Sequence, residues 1–297
     1  MASELKDCRY GKSNVRLLKV IREGKLHDLH DVNVEIQVFG AFERAYRQGD
    51  NGTVLPTDSM KNTVYALARQ YSLKEIEKFA LELASHFLKR NRHVTGVKIS
   101  ISEKLWQRVE CSGGPHGHAF RRSTPEQRLA VIDKTVDQTS IRAAVCGLEV
   151  LKSAQSAFEG FLCDEYTTLK ETRERILATR ITADWLYGDE RQDYTAVWQG
   201  VRAALLETFA GHDSRSVQHT LYAMGDAVLR RFPGIREIHL SMPNLHCLLV
   251  DLSPFHLDNP NQIFLPVEEP IGVIEATLIS CGQEVLVKSN EEACIYG

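Results

Sequence analysis

The sequence predicts an α+β chain in which antiparallel sheets carry helices on one face. Three observations predict it: segments where apolar and polar residues alternate, segments with an apolar stripe at helical spacing, and the return of the same segment order in the second half. Alternation with one polar face is the mark of an antiparallel sheet, because a parallel sheet covered on both faces reads as an unbroken apolar run.

Taken in order, Lys12 follows Tyr10-Gly11 and precedes an apolar strand beginning near Val15. Val32, Val34, Ile36 and Val38 then alternate with Asn33, Glu35 and Gln37, a strand with one wet face. Met60, Val64 and Leu67 suggest a short helix starting at Thr57-Asp58-Ser59, where a capping residue would accept an orphan backbone N–H. Ser72-Leu73-Lys74-Glu75 has capping-box spacing ahead of the stripe Ile76, Ala80, Leu83 and Phe87. Val97, Ile99 and Ile101 resume strand alternation. In the second half Val197, Val201 and Leu205 mark one helix, and Val217, Leu221, Met224 and Val228 mark another. Ile238, Leu240 and Met242 alternate across His239 and Ser241, 141 positions (238 less 97) after the Val97 strand and close to half the 297-residue chain. That offset predicts two similar modules, residues 1–138 and 139–297.

Composition narrows the class of function. Hydrophobic residues at 43% and charged ones at 25% describe a globular chain with enough core to need no staples. A net charge of −3 gives no general attraction for nucleic acid or an anionic membrane, and no apolar run approaches a membrane span. Cys8, Cys111, Cys146, Cys163, Cys247, Cys281 and Cys294 are odd in number and scattered, which predicts reduced thiols. The polar start from Met1 to Gly11 has no h-region of a secretory signal, and the chain ends in Ile295-Tyr296-Gly297 rather than a Ser-Lys-Leu address. A cytoplasmic location is the resulting expectation.

Several residues invite chemistry without deciding it. Lys12 alone reads as a solvated charge, yet a lysine kept from water can act as a base. Phe158 and Arg175 read as a core ring and an ion-pair partner, or as a stacking face and a planar fork of donors. Gln218 beside Val217 reads as a first-turn polar group, and Pro243-Asn244-Leu245-His246 as a turn between strands. Pro115-His116-Gly117-His118 with nearby Cys111 suggests fragments of a metal site, but the spacing fits no standard zinc pattern.

Together, Tyr10-Gly11-Lys12, Thr57-Asp58-Ser59-Met60-Lys61-Asn62-Thr63, the Phe158 to Arg175 block with Tyr166-Thr167-Thr168-Leu169-Lys170-Glu171-Thr172, Val217-Gln218, and Pro243 to His246 resemble the urate oxidase (uricase) family. The resemblance spans nearly the whole chain. It implies the tunnelling fold (T-fold), in which two tandem modules per subunit assemble, usually as a homotetramer, with active sites between subunits. It implies oxidation of urate by O2 to 5-hydroxyisourate and hydrogen peroxide, with no cofactor and no metal. The implied proton network is Lys12, Thr57 and His246. Substrate contacts would come from Thr57, Asp58, Phe158, Leu169, Arg175, Val217, Gln218 and Asn244, and an oxygen site from Thr57, Asn244 and Ile274. Thr57 and Asp58 would reach urate held mainly by a neighbouring subunit.

A Pro-His-x-His-x-Phe loop like the one ending in Ala119-Phe120 occurs in that family without implying metal. Leu245, Cys247-Leu248, Cys163 and Glu174 depart from its common residues, and none is a proposed catalytic side chain. No Gly-x-Gly-x-x-Gly strand–helix fingerprint occurs. Two alternatives stand beside the resemblance: a metal-dependent tunnelling-fold enzyme on a purine or pterin, using His116 and His118, and a non-catalytic purine-binding protein.

Overall fold

A computed structural model of the chain describes residues 3–122 and 124–281. Cys294 and the Ile295-Tyr296-Gly297 end lie outside the described residues. The strands β1 (Arg9–Ile21) and β2 (Asp28–Gly40) form a hairpin, followed by the helices α1 (Glu43–Gln48), α2 (Thr57–Gln70) and α3 (Ile76–Arg90). Strand β3 (Val94–Lys104), the small hairpin β4 (Gln107–Cys111) and β5 (Gly114–Arg121), and β6 (Gln127–Thr135) complete the first half. The second half runs β7 (Thr139–Lys152), β8 (Leu177–Tyr187), α4 (Tyr194–Gly211), α5 (Val217–Arg231), β9 (Ile235–Ser241), β10 (Asn244–Leu249), β11 (Phe264–Gly272) and β12 (Glu275–Ile279).

These strands make one antiparallel ten-stranded sheet in the order β1-β2-β3-β6-β7-β8, after which β8 pairs with β9 near one end and with β10 near the other. β9 continues to β12 and β10 to β11. Thus β1-β2-β3-β6 and β7-β8-β9-β12 repeat one arrangement. The offset read from sequence recurs in the helices, since α5 starts 141 positions after α3 (217 less 76). α2 rests on β1, α3 on β3 and β6, α4 on β7, and α5 on β9 and β12, so the helices share one face of the sheet.

The alternating residues explain that layering. Val34, Ile36, Ile99, Ile101, Ile238 and Leu240 are at most 1% exposed under the helices, and full burial of such a side chain contributes about 1.5–3 kcal/mol. The stripe Ile76, Ala80, Leu83 and Phe87 meets them from α3. The opposite face is polar and crossed by ion pairs: Lys98 stands 4.0 Å from Asp133, and Arg142 bonds Asp184 at 2.7 Å and also Glu237.

Four local expectations are corrected. Lys12 lies inside β1, paired with Ile36, and the ladder bulges between Lys12 and Val15, where Asn14 takes a positive φ of 57°. Helix α2 is capped by Pro56 without a side-chain bond, so Thr57 is its first helical residue rather than its cap. The Ser72 to Glu75 box does not form either. Glu75 is the N-cap of α3, and its carboxylate accepts from the Tyr194 N–H at 3.1 Å and from Lys78 at 2.5 Å, a tertiary use that outcompetes the local one. Finally, Asn244 and His246 belong to a strand rather than a turn, because Asn244 finds ladder partners in both Thr179 and Gly272.

Candidate active site

Two clusters of the expected residues form, at opposite ends of the sheet. The first surrounds the start of α2. Gly11 allows β1 to press against β2: a Cβ there would sit 1.8 Å from the Ile36 carbonyl oxygen. Next to it the Tyr10 hydroxyl accepts from the Leu55 N–H at 2.8 Å, and its ring meets Phe42 edge-on at 4.9 Å. That hook draws the segment before α2 onto β1 and places Thr57 and Asp58 near Lys12. Asp58 accepts from Lys61 at 2.5 Å and from Asn62 at 3.0 Å. The Lys61 bond first, with the Lys12 charge adding to it, holds the Asp58 carboxyl below its usual range.

Asp58 is therefore an anion occupied by its own helix. The Thr57 hydroxyl and the backbone N–H groups of residues 57, 58 and 59 have no partner among the described residues. Proline as N-cap supplies no capping side chain, so these donors point out of a helix N-terminus, where partial positive charge gathers.

The second cluster is assembled by two short bridges. Phe158 pairs with Thr172 through bonds of 2.7 and 3.0 Å, and Ser156 bridges Ser214 just ahead of α5. The Ala157 N–H donates to Ser214 at 2.7 Å and the Arg175 N–H to Ser156 at 2.9 Å. Consequently Phe158, Arg175 and the first turn of α5, with Val217 and Gln218, converge on the start of β8. The Arg175 guanidinium lies over the Phe158 ring at 5.1 Å. Its Nε is buried without a hydrogen-bond partner, it has no carboxylate partner among the described residues, and burial pulls its pKa down. A half-buried cation that has lost water without gaining an anion is poised for a planar acceptor.

β10 brings the remaining groups to the same end of β8. Asn244 and His246 are two apart on a strand and so share a face, and the Asn244 amide nitrogen lies 3.3 Å from His246 Nδ1. Ile274 accepts from the Met242 N–H at 2.8 Å and stands beside Gly272, the ladder partner of Asn244. Leu169 differs: it is 63% exposed on the excursion between Phe158 and Thr172.

Sequence reasoning missed Ser156 and Ser214, both fully buried, which tie the two loops together. Their signal was slight, since hydroxyls flanking a helix start read as ordinary caps. The two clusters do not meet within the chain. Six strand-to-strand steps separate β1 from β10, about 29 Å along the sheet at ~4.8 Å per step.

His116 and His118 lie on strand β5 rather than a loop, with ring centroids 4.6 Å apart, and Arg108 fixes them by donating to the His116 and Gly117 carbonyls at 2.8 and 2.9 Å. Among the described residues no group of three or more His, Cys, Asp or Glu is arranged to hold a metal ion. The six described cysteines are free. No helix among the described residues is long and apolar enough to cross a membrane.

Known proteins resemble this chain over most of its length. A sequence model of the family described as Uricase matches residues 8–133 and 141–275. Uricase of Arthrobacter globiformis is 45% identical over 270 residues, 91% of this chain and 88% of that protein. Uricase of Dictyostelium discoideum is 37% identical over 275 residues, 92% of this chain and 96% of that protein. The crystal structure of the Arthrobacter globiformis uricase superposes with a TM-score of 0.91 at 43% identity, covering 96% of this chain and 98% of that one. Urate oxidase from Bacillus sp. TB-90 superposes at 0.80 with 25% identity, covering 92% and 99%.

Proposed function

The chain belongs to the uricase family, and from that premise we propose that it oxidises urate with O2 and water to 5-hydroxyisourate and H2O2 at a site shared between copies of the chain. The observation that carries the shared site is the split geometry: donors without partners at the start of α2 at one end of the sheet, an unpaired guanidinium beside an aromatic ring at the other. Each half lacks what the other holds.

In this reading Phe158 stacks on the purine, the Arg175 fork takes one edge of the ring, and the Val217 N–H with the Gln218 amide takes the pyrimidinedione edge. Thr57 and Asp58 arrive from a second copy, and Leu169 lines the pocket only once that copy covers its exposed loop. Lys12, Thr57 and His246 relay protons from urate, whose deprotonated ring is electron-rich enough to give two electrons to dioxygen. The electrons reduce O2 to peroxide, and water adds to the oxidised ring. Asn244, with Thr57 and Ile274, holds oxygen, water and peroxide above the ring plane. No cofactor enters this scheme.

The unit boundary, residues 1–138 and 139–297, belongs to the same proposal. It is supported by the turn between Thr135 and Thr139 and by the two stretches of the family match. A homotetramer in the cytoplasm completes it. Neither the metal-dependent alternative nor the non-catalytic purine binder has an observation that favours it.

The test is complementation. Chains carrying Thr57→Ala and chains carrying Arg175→Gln are each impaired, and co-expression produces mixed oligomers. If each site takes Thr57 from one copy and Arg175 from another, random pairing restores about one quarter of the sites. If each chain holds a complete site, no activity returns.

A further inference from the structure

The connection between α4 and α5 carries two imidazoles that the proposed reaction does not use. His212 ends α4, its N–H donating to the Thr208 carbonyl at 3.0 Å, and His219 directly follows Gln218 in the first turn of α5. Their rings close a clasp across that connection, with His212 Nε2 3.1 Å from His219 Nδ1 and centroids 4.3 Å apart.

One neighbour decides which ring donates. The main-chain N–H of Arg215 donates to the same His219 Nδ1 at 3.4 Å, and a backbone N–H cannot accept. His219 Nδ1 is therefore the acceptor of both bonds, its ring proton sits on Nε2, and His212 donates through its own Nε2. The His212 main chain is anchored in turn, since Lys152 of β7 donates to its carbonyl. Burial first, then the neighbouring His219 and Lys152, holds the His212 pKa below the usual imidazole value, against a smaller opposing pull from Asp213.

Between these fixed points lies the turn that presents the substrate edge. Ser214 bonds the Phe158 loop by donating to Gln155 at 2.9 Å and accepting from Ala157 at 2.7 Å. On the other side the Ser216 hydroxyl accepts from the His219 N–H at 3.1 Å. Val217 and Gln218 thus lie between Ser214, which is tied to the Phe158 loop, and the cap of α5, where the His219 ring braces the turn through the Arg215 N–H and His212.

We propose that the His212–His219 pair is a positioning device for urate: it fixes the first turn of α5 so that the Val217 N–H and the Gln218 amide face the same ring that Arg175 and Phe158 hold. This rests on the reading that Val217 and Gln218 take the pyrimidinedione edge. His219 acts through Gln218 and touches no reacting atom, so its removal weakens binding more than chemistry.

The test compares three variants by steady-state kinetics on urate. His219→Ala loses both acceptor bonds and raises KM roughly fivefold to tenfold, with kcat within about twofold, as expected for lost ordering of a binding edge. His219→Asn places an amide oxygen where Nδ1 stood and returns KM to within about twofold of wild type. Gln218→Ala checks the underlying reading and raises KM by itself. A raised KM in Gln218→Ala with none in His219→Ala overturns the positioning role alone. An unchanged KM in Gln218→Ala overturns the edge reading and the proposal with it. An Asn variant as impaired as the Ala variant refutes the acceptor argument.

Discussion

Replacing Arg175 separates binding from folding. Its Nε is buried and unpartnered, its guanidinium has no carboxylate among the described residues, and burial is the cause of its lowered pKa. An arginine serving the fold by an ion pair would show the opposite pattern. If the fork donates two charge-assisted bonds to urate at about 1.5–3 kcal/mol each, Arg175→Gln forfeits about 3–6 kcal/mol, which at ~1.4 kcal/mol per decade is roughly a 10²- to 10⁴-fold rise in KM. Arg175→Lys keeps the charge but loses the fork, so the expected rise is about 10- to 100-fold. Arg175→Met removes an uncompensated charge from the empty protein, and its melting temperature should equal or exceed that of wild type. The assays are loss of urate absorbance against substrate concentration and thermal unfolding at fixed protein concentration. KM within about twofold of wild type for both Lys and Gln would mean that Arg175 does not hold the urate edge, and a lower melting temperature in the Met variant would mean that its charge serves the fold.

Three further outcomes follow from other parts of the molecule. Arg128 and Glu77 form a 2.6 Å pair at 4% and 0% side-chain exposure, so Arg128→Met strands a buried carboxylate and should cost about 3–5 kcal/mol in urea unfolding. Burial raises the Glu77 pKa even in the pair; its stabilisation is therefore full below the unfolded carboxyl pKa and lost as pH rises through the folded one, so the Arg128→Met deficit should shrink in mild acid. A deficit that does not change with pH contradicts this. The Cys146 thiol is pushed up to about 11, by burial first and then by Asp184; alkylation of native protein at mildly alkaline pH should label exposed Cys111 and Cys163 and spare Cys146, and peptide mass mapping that finds it labelled opposes the assignment. Lys12→Met and Thr57→Ala should each lower kcat by about 10²- to 10⁴-fold with unchanged far-UV circular dichroism; normal turnover in both would remove the proton network.

The layers were legible in sequence because burial imposes its period on the residues. Val32 to Val38, Ile76 to Phe87 and Ile238 to Met242 carry the core where their spacing predicts. Caps were less legible, since they depend on what else competes for the side chain. Glu75 looks like the closing residue of a capping box, yet Tyr194, 119 positions later, recruits its carboxylate. Pro243 similarly suggests a turn at Asn244, whereas ladder partners from β8 and β11 extend the strand to it. The site was legible as a set of residue types and illegible as a place. Nothing in chain order reveals that Lys12 and His246 stand at opposite ends of one sheet, because strand order arises from tertiary pairing. The Ser156–Ser214 bridge and the His212–His219 clasp were invisible for the same reason: each joins residues whose local surroundings are unremarkable.

Oxidation of urate by the chain's own side chains, with no metal or cofactor, leaves a simple stoichiometric signature. The most direct measurement follows urate absorbance, dissolved oxygen and hydrogen peroxide together on chelator-treated purified enzyme. Urate and oxygen should disappear in step while peroxide forms in equal amount, without added metal. Activity that appears only on adding a metal ion, or tight urate binding with no peroxide formed, would contradict it.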